Sequence, residues 1–338
     1  MDRLSLPDQY KNQIPHQLPF AELDSISEEL FIKLYVEYDG VIPIQNIDWF
    51  YKTSIKCDND IVNKIREKII KSLNDIPEEY LNHEIWGDKW NDIKNKLNDI
   101  MKQLYFKETG NEEGGNITYN IVSKGGRGNI YDFEINYSDG VICKLEFKYG
   151  KNIFEYAQFL SLYWNGIEMV DKNYIKYWYD NYLVSYLNSL NIDISNMVDF
   201  EEYNQNIYKT GCQHQLFSKI REEEHKRNTK TSEYSKITDD SINNFLNLEI
   251  DKNNINKQNL QNRMDEQKTK IFMFCRDGEF RLDKISDHMD LDLEKEVEVS
   301  HNTIILTTTS NKKIRCNLRW KNGKGCVGPA WQISLRHR

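Results

Sequence analysis

Apolar residues recur at helical spacing over two stretches in the first third of the chain. In residues 59–73, Ile61, Ile65, Ile69 and Leu73 fall at four-residue steps. In residues 83–106, Trp86, Trp90, Ile93, Leu97, Ile100, Met101 and Leu104 share one face, with charges opposite. Both patterns predict amphipathic helices that bury one side. An earlier helix is expected from Ser25 or Ser27, either of which suits an N-cap, to Tyr38, where Asp39-Gly40 breaks it. Past a turn-rich break at 110–115 the period changes to two, and 116–123, 130–137 and 141–149 read as strands. After Gly150 the pattern turns helical again to about Trp164. Residues 174–190 form an aromatic helix whose Tyr174, Tyr177, Trp178, Tyr179, Tyr182 and Tyr186 are assigned to packing ahead of base stacking.

Residues 218–270 are charged and Asn-rich and predict surface helices with a mobile loop near 228–236. Strands return at 271–275, 280–282, 303–309, 314–320 and 331–335. The expected fold class is therefore α+β, in four parts: a helical region at 1–80, a core at 81–215, a charged helical and loop region at 216–270, and a β-rich region at 271–338. The helical region at 1–80 shows no catalytic signal.

Composition changes this picture in two ways. With 338 residues and 39% apolar content the chain can bury a sizeable core, and its six cysteines form no C-x-x-C pair, which disfavours a disulfide framework or zinc ribbon. There is no signal-peptide pattern and no run of eighteen apolar residues, so a soluble protein with no membrane partner is expected, cytoplasmic in a bacterial or viral setting. Net charge is −8, an average that argues against a polyanionic partner. Residues 299–338, however, hold eight Lys and Arg and no Asp or Glu, leaving −16 on the preceding 298 residues. A basic segment on an acidic body is a candidate phosphate-facing surface.

The chemistry concentrates in residues 130–148. Tyr131, Phe133, Ile135 and Tyr137 alternate with Asp132, Glu134 and Asn136; Val141, Cys143, Leu145 and Phe147 alternate with Lys144, Glu146 and Lys148. Register decides whether the charged faces coincide. Ser138-Asp139-Gly140 suits a three-residue hairpin loop closed by a left-handed glycine. Tyr137 then faces Val141, Asp132 faces Glu146, and Glu134 faces Lys144. A two-residue loop would set Asp132 against Phe147 and bury a carboxylate among apolar groups. Two carboxylates on adjacent strands, with a lysine two residues after the second, suit phosphodiester hydrolysis. Oxygen ligands hold Mg²⁺, the ion acidifies a water, and an ammonium orients that water or the phosphate.

Asp132 followed by Glu146-Phe147-Lys148 resembles the signature of the PD-(D/E)xK nuclease superfamily, over about residues 83–165. The resemblance implies a restriction-endonuclease-like core, a mixed sheet flanked by helices, at 81–215. It implies Mg²⁺ held by Asp132, Glu146 and the backbone carbonyl of Phe147, with Lys148 as the catalytic lysine. The helix at 83–106 is similar in placement to the family's first core helix, which often adds an acidic residue; Asp88, Asp92 and Asp99 are candidates and Glu84 is preferred. Tyr131 stands where the signature has proline. Ala157-Gln158-Phe159-Leu160-Ser161 resembles a stretch that follows the catalytic strand in type II restriction enzymes. That branch implies sequence-specific hydrolysis of double-stranded DNA to 5′-phosphate and 3′-hydroxyl ends, commonly by a homodimer, and a cognate DNA methyltransferase encoded nearby.

Candidate DNA contacts are Lys124, Arg127, Lys144 and Gln158 beside the hairpin, and Arg319, Lys321, Lys324 and Gln332 in the basic segment, donor types that read base edges or grip phosphates. The glycine-rich 124–128 segment lacks the ending of a phosphate loop, and Cys212, His214 and His225 lack a second ligand pair for zinc. The alternatives are a repair or recombination nuclease without sequence specificity, and a non-catalytic DNA-binding protein.

Overall fold

A computed structural model of the chain describes residues 44–51, 59–111, 117–124, 130–150, 153–155, 159–160, 168–207, 214–225, 233–288, 290–320 and 329–336. The expected helix at 25–38 lies outside these residues, as does most of the loop near 228–236. The main helices are α1 (Asn59–Lys71), α2 (Gly87–Thr109), α3 (Tyr174–Asn181), α4 (Leu183–Ser189), α5 (Phe200–Ile207), α6 (Gln215–His225), α7 (Glu233–Asn244) and α8 (Lys257–Asp265). The strands are β1 (Tyr119–Ser123), β2 (Phe133–Tyr137), β3 (Ile142–Tyr149), β4 (Ile153–Glu155), β5 (Phe159–Leu160), β6 (Lys270–Arg276), β7 (Glu279–Lys284), β8 (Leu293–Ser300), β9 (Thr303–Thr308), β10 (Lys313–Trp320) and β11 (Pro329–Arg336). The class is α+β. Among the described residues no helix is long and apolar enough to cross a membrane.

The chain divides into two compact units. The first is Met1–Asn152 with Lys268–Asp287; the second is Ile153–Gln267 with His288–Arg338. Unit 1 holds a mixed sheet in the order β1-β2-β3-β6-β7, antiparallel except for the β3–β6 pair. β6 and β7, expected with the C-terminal strands, thus belong to the same sheet as the hairpin. The run Ile271-Phe272-Met273-Phe274-Cys275 is buried throughout, which is why it shows no alternation: a parallel central strand is covered on both faces.

One face of this sheet carries the core of unit 1. Ile65 and Ile69 of α1 and Trp90, Ile93, Leu97 and Leu104 of α2 join Phe133, Ile135, Leu145, Phe147, Ile271 and Met273 in one buried cluster. Lys96 to Glu279 at 2.8 Å and Lys284 to Glu108 at 2.9 Å tie α2 to β7 at the surface. α2 starts at Gly87, four residues later than the pattern predicted, and ends where Gly110, at φ 72°, returns its N–H to the Phe106 carbonyl.

Unit 2 is built on an antiparallel sheet ordered β4-β11-β10-β9-β8, with β5 also on β11. Where a helix is expected at 150–164, the described residues Ile153–Glu155 and Phe159–Leu160 are strands, the first paired with Ser334, Leu335 and Arg336. A partner some 180 residues away outweighs a weak local period. The aromatic helices are core, as assigned: Trp178, Tyr186 and Tyr203 are fully buried, and Trp178 Nε1 donates to Tyr203 Oη at 2.9 Å.

Candidate metal centre on strands β2 and β3

The hairpin has the register that its loop predicts. Phe133 pairs with Leu145, Glu134 with Lys144, Ile135 with Cys143 and Asn136 with Ile142. Tyr137 N–H donates to the Val141 carbonyl at 2.9 Å, and Gly140 takes φ 91°. Asp139 fixes the turn twice, accepting from Val141 N at 3.1 Å and from the Tyr105 hydroxyl of α2 at 2.6 Å. A side chain at 140 would be held in the left-handed region, so Gly140→Val is expected to cost about 1 to 2 kcal/mol, measured as a fall in the urea midpoint. An unchanged midpoint would mean that the turn tolerates another conformation.

Asp132 precedes β2, whose regular ladder ends at the Phe133–Leu145 pair. Its N–H donates at 3.0 Å to the Leu145 carbonyl, one residue out of step with that ladder, so the expected pairing of Asp132 with Glu146 is not part of the regular register. Its Oδ2 accepts from Phe147 N–H at 2.8 Å. Within a strand the N–H and carbonyl of one residue point to the same side. The Phe147 carbonyl therefore lies on the Asp132 side of β3, beyond the last β2 pair. Glu146 is nearly buried and sits between two ammonium groups, with Lys148 Nζ at 2.7 Å from Oε1 and Lys270 Nζ at 3.2 Å from Oε2. Tyr131 leaves the apolar face, because the ladder begins only at Phe133. Its hydroxyl reaches Glu134 at 3.2 Å, and its ring lies 5.7 Å from Lys144 Nζ.

Two further groups belong to this cluster. Glu67 of α1 carries a carboxyl that burial, then the charge of Asp132, raises to about 7, with Lys148 opposing. Burial and then Glu146 raise Asp132 to about 6, opposed by Lys148, the Phe147 N–H and Lys270. Burial lowers the Lys270 ammonium from its ordinary value, with Glu146 opposing. Nothing in the helical pattern of 59–73 marks Glu67 as different from a solvent-facing residue. Lys270 had a signal: a lysine heading an unbroken apolar run is a charge drawn toward a buried strand.

Glu84 is exposed in the turn before α2 and is not among the groups that shift Asp132 or Glu67. Asp92 accepts from the Tyr51 hydroxyl at 2.7 Å and pairs with Lys96, and Asp99 pairs with Lys102. The helical acid whose carboxyl is raised in part by the charge of Asp132 is Glu67, from the helix before the one expected. Lys124 and Lys144 flank the centre through Glu134, Lys124 at 3.6 Å and Lys144 as its cross-strand partner. Arg127, Gln158, Lys321 and Lys324 lie outside the described residues. In unit 2, Arg319 is exposed on β10, and Gln332 of β11 is half-buried opposite Asn317, which accepts from Thr303 Oγ1 at 2.6 Å. The basic character of this sheet is local, because Glu294, Glu296 and Glu298 are exposed along β8 and Glu298 pairs with Lys313.

The donor set fits a hard divalent ion. It is all oxygen, with the carboxylates of Asp132 and Glu146 and the Phe147 carbonyl close together beside the Lys148 and Lys270 ammonium groups. Among the described residues no three His, Cys, Asp or Glu form a ready-made metal-binding group. An ion here would be held by Asp132, Glu146 and the Phe147 carbonyl.

The raised acids have a consequence for stability. Unfolded, both carboxyls titrate near 4; folded, they hold protons to about 6 and about 7. The folded state therefore binds more protons across that window, and stability falls as pH rises through it. In EDTA the thermal midpoint is expected to drop between pH 4.5 and 7.5, with a smaller drop in Glu67→Gln. A slope that is the same in both proteins would remove Glu67 from the cluster.

No protein-family model, no curated protein and no solved structure matches this chain.

Proposed function

We propose that the chain is a Mg²⁺-dependent endodeoxyribonuclease of restriction type, hydrolysing phosphodiester bonds in duplex DNA at a specific sequence. The observation that carries this reading is the Asp132 carboxylate accepting from the Phe147 N–H at 2.8 Å, beside a Glu146 that pairs with Lys148 at 2.7 Å. The mixed sheet, with helices on one face and β3 parallel to β6, supports the resemblance to the PD-(D/E)xK superfamily.

Bound there, Mg²⁺ supplies a Lewis acid that lowers the pKa of a water and stabilises charge on the phosphate. Asp132 and Glu146 orient the oxygens that face it. Lys148, anchored on Glu146, lies where its ammonium can direct the attacking water or hold a phosphate oxygen. Attack in line forms the new P–O bond as the bond to the 3′ oxygen breaks, giving 5′-phosphate and 3′-hydroxyl ends. Lys124 and Lys144, both beside the centre, are placed to grip neighbouring phosphates. Arg319, Asn317 and Gln332 supply donors and acceptors of the kind that distinguish base pairs in the major groove. A homodimer on a palindromic site and a partner methyltransferase accompany this reading. Discrete fragments from a long genomic DNA support sequence specificity; a smear favours the repair-type alternative.

A further inference from the structure

We infer that Lys270 is the positioning residue of this centre, an internal cation that joins the two ligand-bearing segments and competes with the divalent ion for Glu146. The inference rests on the reading of Asp132 and Glu146 as ligands. Lys270 heads β6, the strand of unit 1 that follows the intervening residues 153–267, and its side chain is 98% removed from solvent. Its ammonium makes two directed contacts, 2.8 Å to the Ile130 carbonyl and 3.2 Å to Glu146 Oε2, and lies 4.8 Å from the Phe272 ring. Ile130 stands two residues before Asp132, where the chain has not yet entered β2. The contact therefore fixes the approach of Asp132 to β3 from outside the hairpin ladder.

A lysine is a costly way to fill a buried position unless each proton finds a partner. Here the partners are the carboxylate of one ligand strand and the backbone of the other. Lys148 already pairs with the opposite oxygen of Glu146, so a second cation is not needed to neutralise that one carboxylate. What Lys270 adds is a bridge between segments. The same charge lies close enough to any ion on Glu146 to repel it, since like charges about 5 Å apart interact appreciably even in water.

The test uses full-length Lys270→Met, which removes charge and both hydrogen bonds, and Lys270→Gln, which removes charge and keeps a donor. Mn²⁺ affinity is measured by electron paramagnetic resonance, and cleavage by single-turnover assay at saturating Mg²⁺. Both variants are expected to bind Mn²⁺ at least about tenfold more tightly than the wild type. Lys270→Met should cleave about tenfold or more slowly, and Lys270→Gln should fall between it and the wild type. A merely structural lysine would not tighten metal binding while slowing turnover. Unchanged affinity in folded variants, or affinity and cleavage lost together, overturns the role of Lys270 and leaves the metal centre standing. If neither the wild type nor the variants take up Mn²⁺, the metal-centre reading fails and this inference fails with it. Should Lys270→Met not fold, the affinity of Lys270→Gln decides alone.

Discussion

Glu146→Gln is expected to abolish Mg²⁺-dependent DNA cleavage, by about a thousandfold or more, while DNA binding in Ca²⁺ persists. The magnitude follows from losing the anionic ligand that, with Asp132, holds the ion on which both water activation and charge stabilisation depend. The choice of glutamine over alanine follows from the packing. Alanine would leave the Lys270 ammonium buried with only the Ile130 carbonyl as its named acceptor, a loss that costs about 3 to 5 kcal/mol when one partner of a buried pair is removed. Inactive Glu146→Ala would then mean either lost chemistry or lost fold. Glutamine keeps an oxygen toward Lys270 and removes the charge. Retained cleavage in Glu146→Gln, with the protein folded, would exclude Glu146 as a metal ligand.

The largest stability effect is expected at Trp90. Its ring is 98% buried against Tyr80 at 5.3 Å between centroids, and its Nε1 donates to the Ile44 carbonyl at 2.8 Å. Trp90→Ala removes the largest buried side chain among the described residues of the unit 1 core and takes the indole donor from the Ile44 carbonyl, an expected cost of about 3 to 5 kcal/mol. For a domain whose whole stability is of order 5 to 15 kcal/mol this is a large share. Trp90→Phe should recover part of it, by refilling the cavity without the donor. Urea titration monitored by circular dichroism checks both. A midpoint for Trp90→Ala within error of the wild type would mean that α2 does not hold the sheet as described.

The hairpin was legible in the sequence because its determinants are local. Ser138-Asp139-Gly140 sets the loop, and the loop sets the register from Asn136–Ile142 to Phe133–Leu145, whereas Asp132 lies past the regular ladder and is tied to β3 through the Phe147 N–H. α1 and α2 were legible for the same reason, through a period sustained over several turns. Glu67 was not, and of Lys270 only its place at the head of an apolar run was visible, because the roles of both depend on contacts between elements distant in the chain. Glu67 lies about 65 residues before Asp132 and looks like any charge on an amphipathic helix. Lys270 reaches Glu146 across 124 residues. The strand at 271–275 could be read from its apolar run, but not its partner: it pairs in parallel with β3, and of the strands after it β7 joins the same sheet while β8–β11 build unit 2. The same intervening segment explains the error at 150–164, where Ile153, Phe154 and Glu155 are ordered by a strand at the opposite end of the chain.

The most direct measurement is digestion of several bacterial and phage genomic DNAs by the purified full-length protein, in Mg²⁺ and in EDTA, with sequencing of the ends produced. Discrete fragments are predicted in Mg²⁺ only, with 5′-phosphate ends that share a short sequence, and none from Glu146→Gln. Intact DNA from every source in Mg²⁺ and in Mn²⁺, or equal cleavage in EDTA, would contradict a metal-dependent nuclease centred on Asp132 and Glu146.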